Sequence, residues 1–249
     1  MKRGFTLIEL LVVIAIVGLL GSIVLASVTS ARENARLAGA KQFSAQLFRA
    51  RGAFGGLCLP FDEGVGAVTA NILGNQQGTI LGSPAWTSDT PSGQGAALVF
   101  DGTNPQAVTL TPSGDLISAT TRNYTYAAWV KPTAATGGGW IMGQQGNHAG
   151  LALAADKTPQ GIIYFDDLTF MTFKSTIKLS AGKWYYVALS VDSVEKTISI
   201  YVDGISEGKT TYTKTLRDYG AGLFRVGTIG SGSGINAIID DPCVYLDII

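Results

Sequence analysis

The feature that most constrains this chain is a run of 19 residues, Leu10 to Val28, without a single charge. At about 1.5 Å per helical residue the run spans roughly 28 Å, close to the hydrocarbon thickness of a bilayer. Lys2 and Arg3 precede it, and such a basic flank stays on the cytoplasmic side and sends the rest of the chain outward. A cleavable secretory signal has similar hydropathy and needs a small-x-small site after its apolar core. Gly21-Ser22 and Ala26-Ser27 loosely fit that requirement, so length and hydropathy leave anchor and signal both open.

Glu9 narrows the choice. A carboxylate at the edge of an apolar helix costs a few kcal/mol to insert, so it demands a use. A plain signal or anchor offers none. The string Gly4-Phe5-Thr6-Leu7-Ile8-Glu9, with its basic leader and the apolar run behind it, resembles the prepilin signature of type IV pilins and type II secretion pseudopilins. The resemblance implies cleavage by a prepilin peptidase between Gly4 and Phe5, and N-methylation of Phe5 as the first mature residue. It also implies an assembly role for Glu9, paired with the terminal ammonium of a neighbouring subunit so that neither charge stays unpaired in the membrane. Many type IV pilins carry a proline about twenty residues into this helix; Leu25-Ala26-Ser27 stands there instead, which leaves pilus against pseudopilus undecided. Gly18 and Gly21 are the weak points, each costing up to about 1 kcal/mol of helix propensity.

Helical spacing continues past the apolar run. Val28, Ala31, Ala35, Ala38, Phe43, Leu47 and Phe48 predict one apolar face, and Arg32, Glu33, Arg36, Lys41 and Arg49 a wet one. Gly52 and then Gly55-Gly56 predict the end. The expected organisation is a leader over 1–4, a transmembrane and assembly helix over 5–28, an amphipathic stem over 29–52 and a head over 53–249.

In the head the text changes to short alternating runs between Gly, Asn, Asp and Pro clusters. Gly78–Leu81, Ala96–Phe100, Ala107–Leu110, Tyr124–Val130, Trp140–Gln144, Gly161–Tyr164, Trp184–Val191, Thr197–Val202 and Phe224–Gly227 read as strands, with no convincing helix between them. Ile198 to Val202, Asp203-Gly204 and Ile205 to Gly208 form the clearest hairpin, since Asp-Gly suits the positive-φ positions of a type I′ turn. The fold class expected is α+β, a long N-terminal helix followed by an antiparallel β-sandwich. The phrases Phe61-Asp62-Glu63-Gly64, Leu98 to Gly102, Tyr126 to Pro132, Lys183 to Ala188, Ile200 to Gly204 and Ile238 to Asp241 resemble, in that order, the concanavalin A-like or laminin-G-like jelly-roll family. Trp129, Trp184 and Tyr186 are expected as inward-facing sandwich core rather than a sugar platform.

Some relatives of that family are glycanases with paired carboxylates about 5 to 9.5 Å apart. Asp62-Glu63 and Asp166-Asp167 are adjacent pairs, which a strand points to opposite sides. His148, the single histidine, lies in a Gly-Asn-His-Ala-Gly context without a nucleophile signature. No enzymatic activity is expected. Lys plus Arg equals Asp plus Glu at 18 each, so nothing in the charge predicts a nucleic-acid partner. The resemblance to laminin-G-like folds implies a calcium ion on Asp62 with Asp240 or Asp241, a hard cation on oxygen donors. Cys58 and Cys243 lie on the same two terminal segments of the head, and two cysteines in an exported domain predict a disulfide. Two buried thiols are the alternative.

The resulting expectation is a filament subunit, held in the cytoplasmic membrane with its head outside before it joins a surface filament of like or unlike pilin subunits. Its head would serve adhesion or glycan binding. A secretion-system pseudopilin without a ligand, and a membrane-tethered lectin or glycan hydrolase that never polymerises, are the competing readings.

Overall fold

The computed structural model describes residues 4–52, 56–102, 106–110, 123–133, 137–144, 149–217, 222–229 and 234–249. One helix, α1 (Leu7–Arg51), runs unbroken through the apolar segment and the stem. Thr6 caps it: its hydroxyl accepts from the Glu9 N–H at 3.3 Å, and the Glu9 carboxylate accepts from the Thr6 N–H at 2.8 Å. This reciprocal box satisfies two of the backbone donors that a helix start otherwise leaves bare. Gly18 and Gly21 sit inside regular helix. Just beyond them Ser22, Ser27 and Thr29 donate their hydroxyls back to the carbonyls of Leu19, Val24 and Leu25, which removes their polarity from the apolar surface. The helix is long and apolar enough to cross a membrane, and none of its most apolar window is buried against the rest of the chain.

Sixteen strands follow among the described residues: β1 (Gly56–Cys58), β2 (Val68–Ala70), β3 (Gln77–Leu81), β4 (Ala85–Thr87), β5 (Ala97–Asp101), β6 (Ala107–Leu110), β7 (Tyr124–Pro132) and β8 (Gly139–Gln144). The others are β9 (Ala149–Leu153), β10 (Pro159–Tyr164), β11 (Phe170–Lys174), β12 (Tyr185–Asp192), β13 (Thr197–Val202), β14 (Ile205–Thr211), β15 (Phe224–Val226) and β16 (Asn236–Tyr245). They form two antiparallel sheets. The first has the order β14-β13-β12-β7-β16-β5-β4, with β1 also on β16; the second has the order β11-β10-β9-β8-β15-β6-β3-β2. This is the α+β sandwich expected, with all nine predicted strands present. Seven lie outside those nine: β1, β2, β4, β9, β11, the long closing strand β16, and β14, expected only as the second arm of the Asp-Gly hairpin.

Between the sheets lies the main core. Tyr124, Tyr126, Ala128 and Val130 of β7 and Val187, Leu189 and Val191 of β12 point into it, with Leu151, Ile163 and Phe224 from the second sheet. The intervening residues of the same strands point the other way, because a strand has period two. Ala127, Trp129, Tyr186 and Ala188 join Ala40 and Leu47 of the helix in a second cluster. Trp129, Trp184 and Tyr186 are therefore buried, as expected, but outside the sandwich: they are the surface on which the stem lies. The expectation of inward-facing aromatics is corrected, and the reason is that both faces of β7 and β12 are covered.

The stem turns a different stripe to the head than its apolar residues predict. Ala31, Ala35, Ala38 and Phe48 are exposed, whereas Ala40 and Leu47 are buried and Leu37 and Phe43 pack beside them. Arg36, expected on the wet side, is on the docked face. Ala contributes little apolar area, so Leu37, Phe43 and Leu47 set the phase of the helix. The helix ends at Gly52, whose N–H donates to the Phe48 carbonyl. Gly56 is required by space as well as by its φ of 138°, since a Cβ there would stand 2.0 Å from the Val244 carbonyl oxygen.

Candidate functional site

Three parts of the molecule carry the residues singled out in the sequence. The first is the helix start. Gly4 and Phe5 precede the cap outside the helix and exposed, with Phe5 79 % exposed. Glu9 is engaged by the backbone and hydroxyl of Thr6 rather than left as an isolated charge.

The second is the join between stem and head. Arg36 donates to the carboxylate of Asp203 and, at 2.7 Å, to the Trp184 carbonyl. Its guanidinium also lies 4.3 Å from the centre of the Tyr185 ring. Asp203 is the first residue of the Asp-Gly turn read from the sequence, and φ values of 53° and 83° at Asp203 and Gly204 are those of a type I′ turn. The turn has a second duty. Asp203 also accepts from the Tyr186 N–H at 2.8 Å, and a Cβ on Gly204 would stand 2.8 Å from the Phe43 ring. Burial pushes the Asp203 carboxyl above its ordinary value, more than the Tyr186 N–H and Arg36 pull it down. Glu33, held low chiefly by its bond to Arg36, extends the network to Lys183 at 3.4 Å. Sequence reasoning missed this latch; Arg36 four residues before Ala40 and seven before Phe43 was the available signal.

The third part is an acid corner near the upper end of the stem. Cys58 and Cys243 are direct partners in the β1–β16 ladder and form a disulfide, with Cα atoms 4.0 Å apart and a sequence separation of 185. The β16 ladder is irregular between Asp240 and Cys243, where Asp241 takes a φ of 46° and Pro242 follows. A bulge tolerates both and re-aims the side chains. Asp240, Asp241 and Asp62 consequently line one cavity of about 350 Å³ with Ser92, Gln94 and Gly95. Burial and the neighbouring Asp241 push the Asp240 carboxyl far up, to about 9; burial and then Asp62 push Asp241 to about 6. The three expected acids are thus brought together, and their oxygens suit a hard cation. Among the described residues no three His, Cys, Asp or Glu side chains converge as a metal cage.

Two of the other carboxylates singled out in the sequence tie down the chain. Glu63 accepts from the Ala70 N–H at 2.7 Å, tying a loop, and Asp167 is held by Lys214 and Thr169 at 2.7 and 2.5 Å. His148 lies outside the described residues.

Comparison with known proteins agrees with both halves of the architecture. A family profile described as the concanavalin A-like lectin/glucanases superfamily matches residues 101–247, and the prokaryotic N-terminal methylation motif matches residues 1–25. No curated protein matches the chain. Among solved structures, domain 4 of AbnA, a GH43 extracellular arabinanase from Geobacillus stearothermophilus, in complex with arabinotriose, is similar at 19 % identity and a TM-score of 0.60. The match covers 78 % of this chain and 92 % of that one. The binding domain of Paraclostridial Mosquitocidal Protein 1 is similar at 9 % identity and a TM-score of 0.62, over 78 % of this chain and 49 % of that one. The Botulinum neurotoxin serotype D binding domain is similar at 12 % and 0.61, over 81 % and 50 %. The chain spans about half the length of these toxin domains, and at such identities the likeness is one of fold.

Proposed function

The chain belongs to the concanavalin A-like lectin/glucanases superfamily, and on that footing we propose that it is a pilin-like filament subunit whose jelly-roll head binds carbohydrate without chemistry. The observation that carries the proposal is the docking of the stem. A methylation-motif helix continues without a break into the segment that Arg36, Phe43 and Leu47 bind to the head, so helix and sandwich form a single packed unit. A tethered domain needs only a flexible link. A filament subunit needs its head fixed to the polymerising helix, which this cluster supplies.

In this reading a prepilin peptidase cuts between Gly4 and Phe5, Phe5 is N-methylated, and the subunit waits in the cytoplasmic membrane with its head outside. Glu9 then exchanges part of its bond to Thr6 for the ammonium of the next subunit. Partners are other pilin subunits, of the same or another kind, and glycans met at the surface. The lectin-like neighbours, several of them binding domains, support a binding role over a hydrolytic one.

Replacing Glu9 by Ala in the producing cell tests the filament half: the protein should be exported and processed but missing from sheared surface filaments. Undiminished incorporation would leave a tethered domain as the better account. A glycan array probed with the full chain tests the head.

A further inference from the structure

The two sheets of the head differ on their outer sides. The stem covers that of the first sheet. On the second sheet, four adjacent strands display an open surface made of aligned rows. One row, across β8, β9, β10 and β11, is Trp140, Ala152, Gln160 and Lys174; Gly150, Ile162 and Thr172 form the next, and Tyr164 opposite Phe170 the last. Pro159, Gly161 and Ile163 alternate with these and face the core, as period two requires.

Trp140 is half-buried and lies against the sheet. A Cβ on Gly150 would stand 2.5 Å from its Cζ3 atom and 2.9 Å from its Cε3, so the glycine leaves the space that the indole occupies. Beside it is a trough of about 360 Å³, floored by Ala152 and flanked by Gly138, Gly139, Gln160 and Ile162. That volume is in the range of small-ligand sites. The residues around the trough carry no charge, and the Gln160 carboxamide is without a hydrogen-bond partner among the described residues. Tyr164 and Phe170 pack with ring centres 5.6 Å apart, and Phe170 is 62 % exposed.

From this arrangement we infer that the outer side of the second sheet, centred on Trp140 and Gln160, is the carbohydrate-binding site of the head, and that its ligand is a short, uncharged stretch of glycan. An aromatic ring against the sheet offers a flat apolar surface to the C–H face of a sugar. The adjacent amide supplies a donor and an acceptor for neighbouring hydroxyls. From Trp140 on β8 to Tyr164 on β10 the surface extends roughly 10 Å across strands and 13 Å along them, which suits an oligosaccharide rather than one sugar. Gln160, Thr172 and Lys174 interrupt the apolar surface, so it is a poor seat for an amphipathic helix. The inference rests on the reading of the head as a carbohydrate-binding domain and locates that activity.

The test uses the full chain in a sugar-free detergent, screened on a glycan array and then titrated with arabinotriose, xylotriose and cellotriose by calorimetry. Trp140→Ala should weaken the best binder by about tenfold and Gln160→Ala by about threefold, with melting temperature little changed. Tyr164→Ala provides a third reading if the Trp140 variant fails to fold. Binding that survives all three substitutions overturns this site and leaves a carbohydrate-binding head with its site elsewhere. If no glycan on the array and none of the trioses binds the native chain, both the site and the reading beneath it fall.

Discussion

The outer sides of the two sheets obey one alternation rule and end in opposite conditions. On the first, Ala127, Trp129, Tyr186 and Ala188 are covered by Ala40, Phe43 and Leu47 of the helix. On the second, Trp140, Gln160 and Ile162 remain half-buried and Phe170 and Thr172 exposed, with no third layer above them among the described residues. A sandwich needs only its inner faces to fold. An apolar outer face is therefore explained either by a layer of the same chain or by something the chain meets. The stem explains the first sheet; among the described residues nothing does so for the second, and that is the ground for the glycan proposed at Trp140.

The sharpest way to break the comparison is to weaken the covered side. Cys58 and Cys243 belong to the cluster under the stem and close a loop spanning 185 residues. Replacing both by Ser should cost up to about 5 kcal/mol, the chain-entropy figure for so long a loop. Denaturant midpoints with and without reductant measure it; a native chain indifferent to reductant would show that the bond does not bear on stability. Trp129→Ala comes next. The side chain is 2 % exposed, and removing such a residue costs about 3–5 kcal/mol. Trp140→Ala on the open side should cost well under half of that. Equal losses from the two would erase the distinction between a covered and an open face.

Arg36 tests the cover more gently. Arg36→Met keeps most of the apolar stem of the side chain but strands Asp203, whose side chain is only 7 % exposed. Part of Arg36 is solvated, so the expected loss is about 2–3 kcal/mol, below the range for fully buried pairs. Hydrogen exchange should quicken in residues 33–47 before it quickens in β7 or β12. Adding Asp203→Asn should recover part of the loss, because it removes the stranded charge.

Much of this was legible in the sequence where the signal is local. The apolar run, the Gly-Phe-Thr-Leu-Ile-Glu string and the Asp-Gly turn depend on neighbours in the chain, and each appears in the expected place. β9 and β1 escaped because Ala-Gly-Leu-Ala-Leu and Gly-Leu-Cys lack the β-branched and aromatic residues that mark strands. The facing of Trp129 and Tyr186 was not legible, since a strand buried on both sides reads as continuously apolar and alternation then carries no direction. Arg36 was misplaced for a related reason: a long charged side chain reads as solvated until Asp203, 167 residues away, is known to receive it. The acids of the corner were grouped correctly, but the bulge at Asp241 that aims them has no strong local signature.

That corner lies where the cover gives out, beside a cavity bounded by Ser44, Ala45 and Phe48 of the stem, and it gives the smallest and most specific effect. Asp240 and Asp241 bind their protons more tightly in the folded chain than an unfolded Asp does near 3.8, through burial and through repulsion from Asp241 on Asp240 and from Asp62 on Asp241. Between about pH 4 and about pH 9 the folded state thus holds more protons than the unfolded one, so this contribution is complete below pH 4 and is lost as pH rises. Asp240→Asn should flatten that slope and raise the melting temperature at pH 8 by about 2–4 °C, the shift expected of roughly 1 kcal/mol in a domain of this size. A divalent cation would relieve the same repulsion. Millimolar calcium should then stabilise the native chain at pH 8, do little at pH 5, and lose its effect in Asp240→Asn. Stabilisation that ignored both pH and the substitution would place the ion away from these acids, and none at all would leave the corner to protons alone.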